Sequence, residues 1–132
     1  MRTVVIVACD NAMGLDITGP AEVFDTANRL HGGEPQYRVE MLAIPGGAVT
    51  LSTGISLHAK DARRWLGPID TLIVTGGYGI HNRGPHDELV QWVRRYGVTP
   101  LHAKPKDRIV SPMTMASPAS EVVLSPDRMM LP

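Results

Sequence analysis

The chain of 132 residues predicts a single open α/β domain, a sheet of parallel strands with helices against its faces. Three observations carry that expectation. Residues 3–8 and 70–74 are short apolar runs rich in β-branched side chains, as strands buried on both faces require, and residues 37–44 alternate at first and turn apolar at their end, as a further strand does. Stripes of helical period stand around residues 20–30 and 85–96, so strand and helix alternate, which calls for right-handed parallel crossovers. The exits of the strands, Cys9-Asp10, the loop toward Glu22, and Gly76-Gly77, would then share one rim, where open α/β sheets bind ligands.

Each element has its own signals. Thr3-Val4-Val5-Ile6-Val7-Ala8 reads as the central strand, and Cys9-Asp10-Asn11-Ala12-Met13-Gly14 leaves it as a loop. Gly19 as N-cap and Pro20 at the first helical position predict a helix over 20–30 with Glu22 in its first turn, facing the positive end of the dipole. Val23, Ala27 and Leu30, with Phe24 alongside, supply its apolar stripe, and Gly32-Gly33 its stop. Residues 37–44 form the second strand. Residues 49–51 and 55–57, parted by Ser52-Thr53-Gly54, read as a small β excursion. Residues 61–66 read as a short helix capped by Asp61, with Trp65-Leu66 packing inward. Residues 70–74 run into Thr75-Gly76-Gly77-Tyr78-Gly79. The helix over 85–96 places Leu89, Trp92, Val93 and Tyr96 on one face, Asp87-Glu88 in its first turn and Arg94-Arg95 in its last.

Lysine plus arginine and aspartate plus glutamate both total 13, which argues against a generally basic nucleic-acid binder or a polybasic membrane anchor. No apolar run approaches a membrane span and the start lacks a signal-peptide pattern, so the expected location is the cytoplasm. The single cysteine excludes an internal disulfide and fits a reducing compartment. Composition changes near Gly97. All 13 glycines and every aromatic lie at or before it, whereas six of 11 prolines and four of seven methionines lie from Pro100 onward, poor material for a packed core.

Val5-Ile6-Val7-Ala8, then Leu15-Asp16-Ile17-Thr18-Gly19-Pro20-Ala21-Glu22-Val23-Phe24, then Tyr37-Arg38-Val39, then Asp70-Thr71-Leu72-Ile73-Val74-Thr75-Gly76-Gly77 together resemble the class I glutamine amidotransferase-like superfamily. The resemblance is closest to the PfpI branch that forms the N-terminal domain of AraC-type transcription regulators, with isonitrile hydratases and small hydrolases as relatives. It implies a flavodoxin-like sandwich, incomplete at its C-terminal side, with residues 1–97 as the front of an amidotransferase-like domain and 98–132 as a Pro/Met-rich degenerate or tail segment. It assigns Glu22 the place of the buried glutamate that approaches the nucleophile cysteine, and Gly76-Gly77 the place of an oxyanion-hole-like loop. The cysteine elbow itself is missing. In Arg108-Ile109-Val110-Ser111-Pro112-Met113-Thr114-Met115-Ala116, Met113 stands at the cysteine position and Met115 at the glycine, and a thioether cannot become a thiolate. The helix-turn-helix reader of regulators is also absent.

The reading that follows is a non-catalytic ligand-sensing or dimerisation domain resembling the N-terminal part of an AraC-type regulator. Asp16, Glu22, Gly76 and Gly77 would line its ligand pocket, with no catalytic residue, cofactor or metal. Its expected partners are a small-molecule effector and a second copy, without nucleic-acid contact from this chain and without a membrane. The alternative is a small PfpI-type cysteine-dependent hydrolase or hydratase, similar to isonitrile hydratases, using Cys9. A third is that the chain does not fold alone. Several plainer readings stand beside these. Glu22 serves only the helix dipole, Cys9 is an inert strand residue, and Thr75-Gly76-Gly77-Tyr78-Gly79 lacks the residues of a P-loop or a dinucleotide fingerprint. His81, His86, Asp87 and Glu88 are explained by a solvated loop entering a helix cap, and His31 and His58 lack ligand spacing.

Overall fold

The computed structural model describes residues 1–97, 108–110 and 122–124, and the sequence-based expectations for Pro112, Met113, Met115 and the rest of 98–132 lie outside them. The strands are β1 (Arg2–Val7), β2 (Tyr37–Ala43), β3 (Gly47–Thr50), β4 (Ser56–Asp61), β5 (Thr71–Val74), β6 (Arg108–Val110) and β7 (Val122–Leu124). They form one seven-stranded sheet in the order β3-β4-β2-β1-β5-β7-β6. β1 is central and parallel to both neighbours, with Val5 opposite Glu40 on β2 and Leu72 on β5. β4 continues the parallel set beside β2, and β3 folds back on it as an antiparallel hairpin. On the other flank, where the sequence predicts an incomplete side, β7 pairs antiparallel with β5 and β6 with β7.

Alternation along β1 splits the core into two layers. Val4, Ile6 and Ala8 face α1 (Leu15–His31), together with Ile17, Ala43, Val49, Leu51 and Ile73. Val5, Val7 and Cys9 face α3 (Glu88–Gly97), together with Leu42, Leu72, Leu89 and Trp92. This is the flavodoxin-like α/β arrangement the sequence implied. Asn28 ties α1 to the sheet: its Nδ2 donates to the Tyr37 carbonyl at 2.8 Å and its Oδ1 accepts from the amides of Tyr37 and Gln36 at 2.9 Å.

Three local expectations need correction. α1 starts at Leu15 rather than Pro20, because the Gly14 carbonyl already accepts from the amides of Ile17 and Thr18. The helix runs through Pro20, which costs it one backbone hydrogen bond. Its sheet-facing stripe is then Ile17, Ala21, Phe24 and Asn28, not Val23, Ala27 and Leu30; Val23 and Leu30 point outward. The segment 61–66 is only a single 3₁₀ turn (Ala62–Arg64), capped by the Asp61 carboxylate on the Arg63 amide at 3.0 Å. Trp65 packs inward, but Leu66 is 96% exposed.

Candidate functional site at the strand exits

The rim begins where β1 runs out. Ala8 and Cys9 stay buried, and Asp10 and Asn11 emerge. Asn11 takes φ 61°, a left-handed conformation that asparagine tolerates better than most residues. That turn sends the Asn11 amide to the Thr50 carbonyl at 2.8 Å, while the Asp10 carboxylate accepts from the Thr50 amide at 2.8 Å. The first loop is therefore sewn to the end of β3.

The exit of β5 closes against the same loop. Thr75 is fully buried, and both its amide and its hydroxyl donate to the Val7 carbonyl. Gly76 follows with both backbone groups engaged: its carbonyl accepts from the Met13 amide at 3.0 Å and its N–H donates to Asp16 Oδ2 at 2.7 Å. Gly77 has φ 116°, and a Cβ there would stand 2.8 Å from the Asn11 carbonyl oxygen and 2.9 Å from the Met13 nitrogen. A Cβ at Gly79 would overlap the Asp10 carbonyl oxygen. These glycines are required by backbone-to-backbone contact between the two loops. The short helix α2 (Tyr78–His81) grows directly from this turn.

Of the four residues the sequence assigned to a pocket, Asp16, Gly76 and Gly77 lie together here and Glu22 does not. Glu22 is exposed on the body of α1. Six residues separate it from Asp16, which places it about 9 Å further along the axis and about 120° around it. The shift follows from the early helix start, which puts Asp16 rather than Glu22 in the first turn. The acid that approaches the Gly76-Gly77 turn is Asp16. Because it already occupies the Gly76 N–H, that donor is not open to a substrate oxyanion.

Cys9, 3% exposed, lies beneath the same rim. A Cβ on Gly79 would be 3.1 Å from its sulfur. Burial pushes the thiol above its ordinary range; the Arg83 guanidinium pulls in the opposite direction, and the charges of Asp10 and Asp87 add to the rise. Arg83 in turn holds Asp87, its Nη1 donating to the two carboxylate oxygens at 2.9 and 2.8 Å. Asp87 also caps α3, accepting from the Leu89 amide at 2.9 Å. Burial raises the Asp87 carboxyl, but the Arg83 and backbone hydrogen bonds outweigh it and hold it below the usual range. Sequence reasoning set Asp10 and Thr75 at the strand exits without giving either a role, and did not single out Arg83. Asp10 had a signal in its place just past a buried strand; Arg83 had none.

Among the described residues, no group of three histidine, cysteine, aspartate or glutamate side chains is placed to hold a metal ion. A separate concavity lies along β4, lined in part by His58, Lys60, Arg64 and Trp65, and its Lys60 and Asp61 are paired with Glu40 and Arg63. No helix of the described residues is long and apolar enough to cross a membrane.

No family model matches the chain. It is 38% identical over 74 residues, 56% of its own length, to an uncharacterized protein encoded in the cpoL 5′ region of Streptomyces lividans. The chain spans about half the length of that relative, 50%. Among solved structures it resembles an AraC family transcriptional regulator from Pseudomonas putida, with TM-score 0.53, 24% identity, and 67% of this chain against 45% of that one covered. Drosophila melanogaster DJ-1beta superposes with TM-score 0.57 at 18% identity, over 71% of this chain and 48% of that one. A DJ-1 superfamily protein from Agrobacterium tumefaciens gives TM-score 0.51 at 20% identity, over 72% and 47% of the two chains. With the parallel strands around β1 in place, these likenesses show that the chain shares the flavodoxin-like α/β fold of these proteins.

Proposed function

We propose that this chain is a non-catalytic ligand-sensing or dimerisation domain, of the kind that would serve as the N-terminal part of an AraC-type regulator. One observation carries the reading. At the rim of strand exits, the Gly76 N–H is already taken by Asp16 and the chain's one thiol is buried with its proton favoured. A nucleophile needs thiolate character and access, and Cys9 has neither. A small-molecule effector would sit at the rim of Asp16, Gly76 and Gly77, while residues 98–132 act as a tail that adds strands to the sheet. The chain's action would be intracellular and would involve no direct nucleic-acid contact of its own.

The test is thiol reactivity of the folded protein. Cys9 should resist iodoacetamide at neutral pH until denaturant is added, and Cys9→Ala should leave every measured property of the rim unchanged. Rapid alkylation below neutral pH, with a hydrolase or hydratase activity that Cys9→Ala abolishes, would establish the PfpI-type enzyme instead. The Arg83 guanidinium beside the sulfur is the one feature that favours this second reading.

A further inference from the structure

The sheet face opposite α1 is covered only in part. α3 packs over β1 and β5, while Arg38 on β2 and His58 and Lys60 on β4 stand on the same face and stay exposed. Alternation fixes their side, since Val39, Leu57 and Ala59 beside them belong to the α1 layer. Walls rise around this polar floor. Beyond β4 the 3₁₀ turn brings Arg64 and Trp65 to one side, and Gly46-Gly47 closes the other. A Cβ at Gly46 would stand 2.5 Å from the Asp61 amide nitrogen, so only glycine lets the β2–β3 turn lie this close to the end of β4. The concavity holds about 480 Å³, the size of a metabolite site, and β4 runs two strands, about 10 Å, from β1.

Its charges are unevenly matched. Glu40 accepts from Lys60 and lies 3.6 Å from Arg38, and Arg63 Nε donates to both Asp61 carboxylate oxygens, at 2.9 and 3.1 Å. Arg64 and His58 have no hydrogen-bond or ion-pair partner among the described residues. Arg38, Lys60, Arg63 and Arg64 thus stand against Glu40, Asp61 and Glu88, the last 4.0 Å from Arg63, an excess of one positive charge with His58 neutral. Trp65 adds a buried indole N–H without an acceptor among the described residues, in a ring whose centroid lies 6.0 Å from the Arg38 guanidinium. An unpaired guanidinium, an unmatched N–H donor and an aromatic ring together call for an acceptor that carries negative charge. We propose that this concavity binds a small organic oxyanion, a phosphate or carboxylate on an aromatic body, with Arg64 paired to the oxyanion, His58 and Lys60 flanking it, and the body against Trp65. A turn of the indole toward a bound oxygen gives its N–H the acceptor that the fold withholds. This is a second ligand site, independent of an effector at Asp16, Gly76 and Gly77.

The experiment is a calorimetric titration of the full chain with phenyl phosphate, benzoate and neutral phenol. At least one of the two anions should bind and phenol should not, and salt at about 1 M, where the screening length falls to about 3 Å, should weaken the binding. The tighter anion identifies the source of the oxyanion as a phosphate ester or a carboxylic acid. Arg64→Gln should weaken that anion about tenfold or more with an unchanged melting curve, whereas Arg95→Gln, which removes an exposed cation of α3, should leave it as it was. In nitrogen-edited NMR spectra the indole N–H of Trp65, identified by its loss in Trp65→Phe, should shift along the same saturation curve while that of Trp92 stays. Failure of both anions to bind at millimolar concentration overturns the site, and so does phenol binding as tightly as they do. Equal weakening by Arg64→Gln and Arg95→Gln would mean diffuse charge attraction and no site. Binding that leaves the Trp65 N–H unmoved places the anion elsewhere and overturns the assignment.

Discussion

α1 and α3 lie on opposite faces of the same sheet and use their apolar residues in opposite ways. α3 spends ten residues and buries Leu89 completely and Trp92 almost so, while Tyr96 at its end is 45% exposed. α1 spends 17 residues and buries only Ile17 fully, while Leu15, Val23 and Leu30 stand in the open. The difference teaches that apolar content does not by itself assign a helix face to the core. α3 has one apolar stripe, so its orientation follows from its pattern. α1 has two, and contact with the sheet selects between them.

The largest effect that could break this comparison comes from truncating matched leucines. Leu89→Ala should cost about 2–5 kcal/mol in chemical denaturation, the range for a fully buried leucine whose cavity cannot collapse. Leu30→Ala should change stability by no more than about 0.5 kcal/mol when measured on dilute monomer. Equal losses at the two sites would mean that the outer stripe of α1 is core after all.

A smaller effect separates the two acids of α1. Asp16→Ala removes the acceptor of the Gly76 N–H in a half-buried setting and should cost about 1–3 kcal/mol. Glu22→Ala, exposed and without a resolved role, should stay within about 0.5 kcal/mol. If effector binding is later measured, loss in the Asp16 variant and retention in the Glu22 variant would sharpen the assignment of the rim to Asp16.

The smallest effect is acid destabilisation on the α3 side. Hydrogen bonds from the Arg63 guanidinium, chiefly, hold the Asp61 carboxyl at about 2, and Asp87 is likewise lowered. Both acids therefore bind protons more readily unfolded than folded. Their stabilisation is complete above the unfolded carboxyl range, about pH 4, and drains away as pH falls toward 2. Urea midpoints measured between pH 5 and 2 should fall, and Asp87→Asn should flatten part of that slope. A rise in stability on acidification would contradict the assigned direction.

Much of this architecture was legible from residue order. β1 and β5 announced themselves because a strand buried on both faces must be an unbroken apolar run, as Val4 to Val7 is, and β2 by an alternation that turns apolar toward its end. The Gly76-Gly77 turn was legible for a similar reason, since only glycine admits the φ of 116° and the close approach of Asn11 found at Gly77. The start of α1 was not. Gly19-Pro20 offers a cap and a first-turn proline, while the true cap, Gly14, has no side chain to advertise itself. That single displacement takes Glu22 off the rim and leaves Asp16 as the acid in the first turn, beside the Gly76 amide. The setting of Cys9 was also illegible, because Arg83 and Gly79 reach it from a distant part of the chain.

By itself, then, the sequence determined the alternation of strand and helix, the central place of β1 and the glycine turn at the exit of β5. Each of these depends on local sterics and on a periodicity that a strand or helix cannot evade. Tertiary structure decided which stripe of α1 is inside, which acid meets the Gly76 amide, and that the thiol is sealed beneath Gly79 and Arg83. These depend on distances between segments far apart in the chain, and such distances come into being only when the sheet forms and brings its strand exits together.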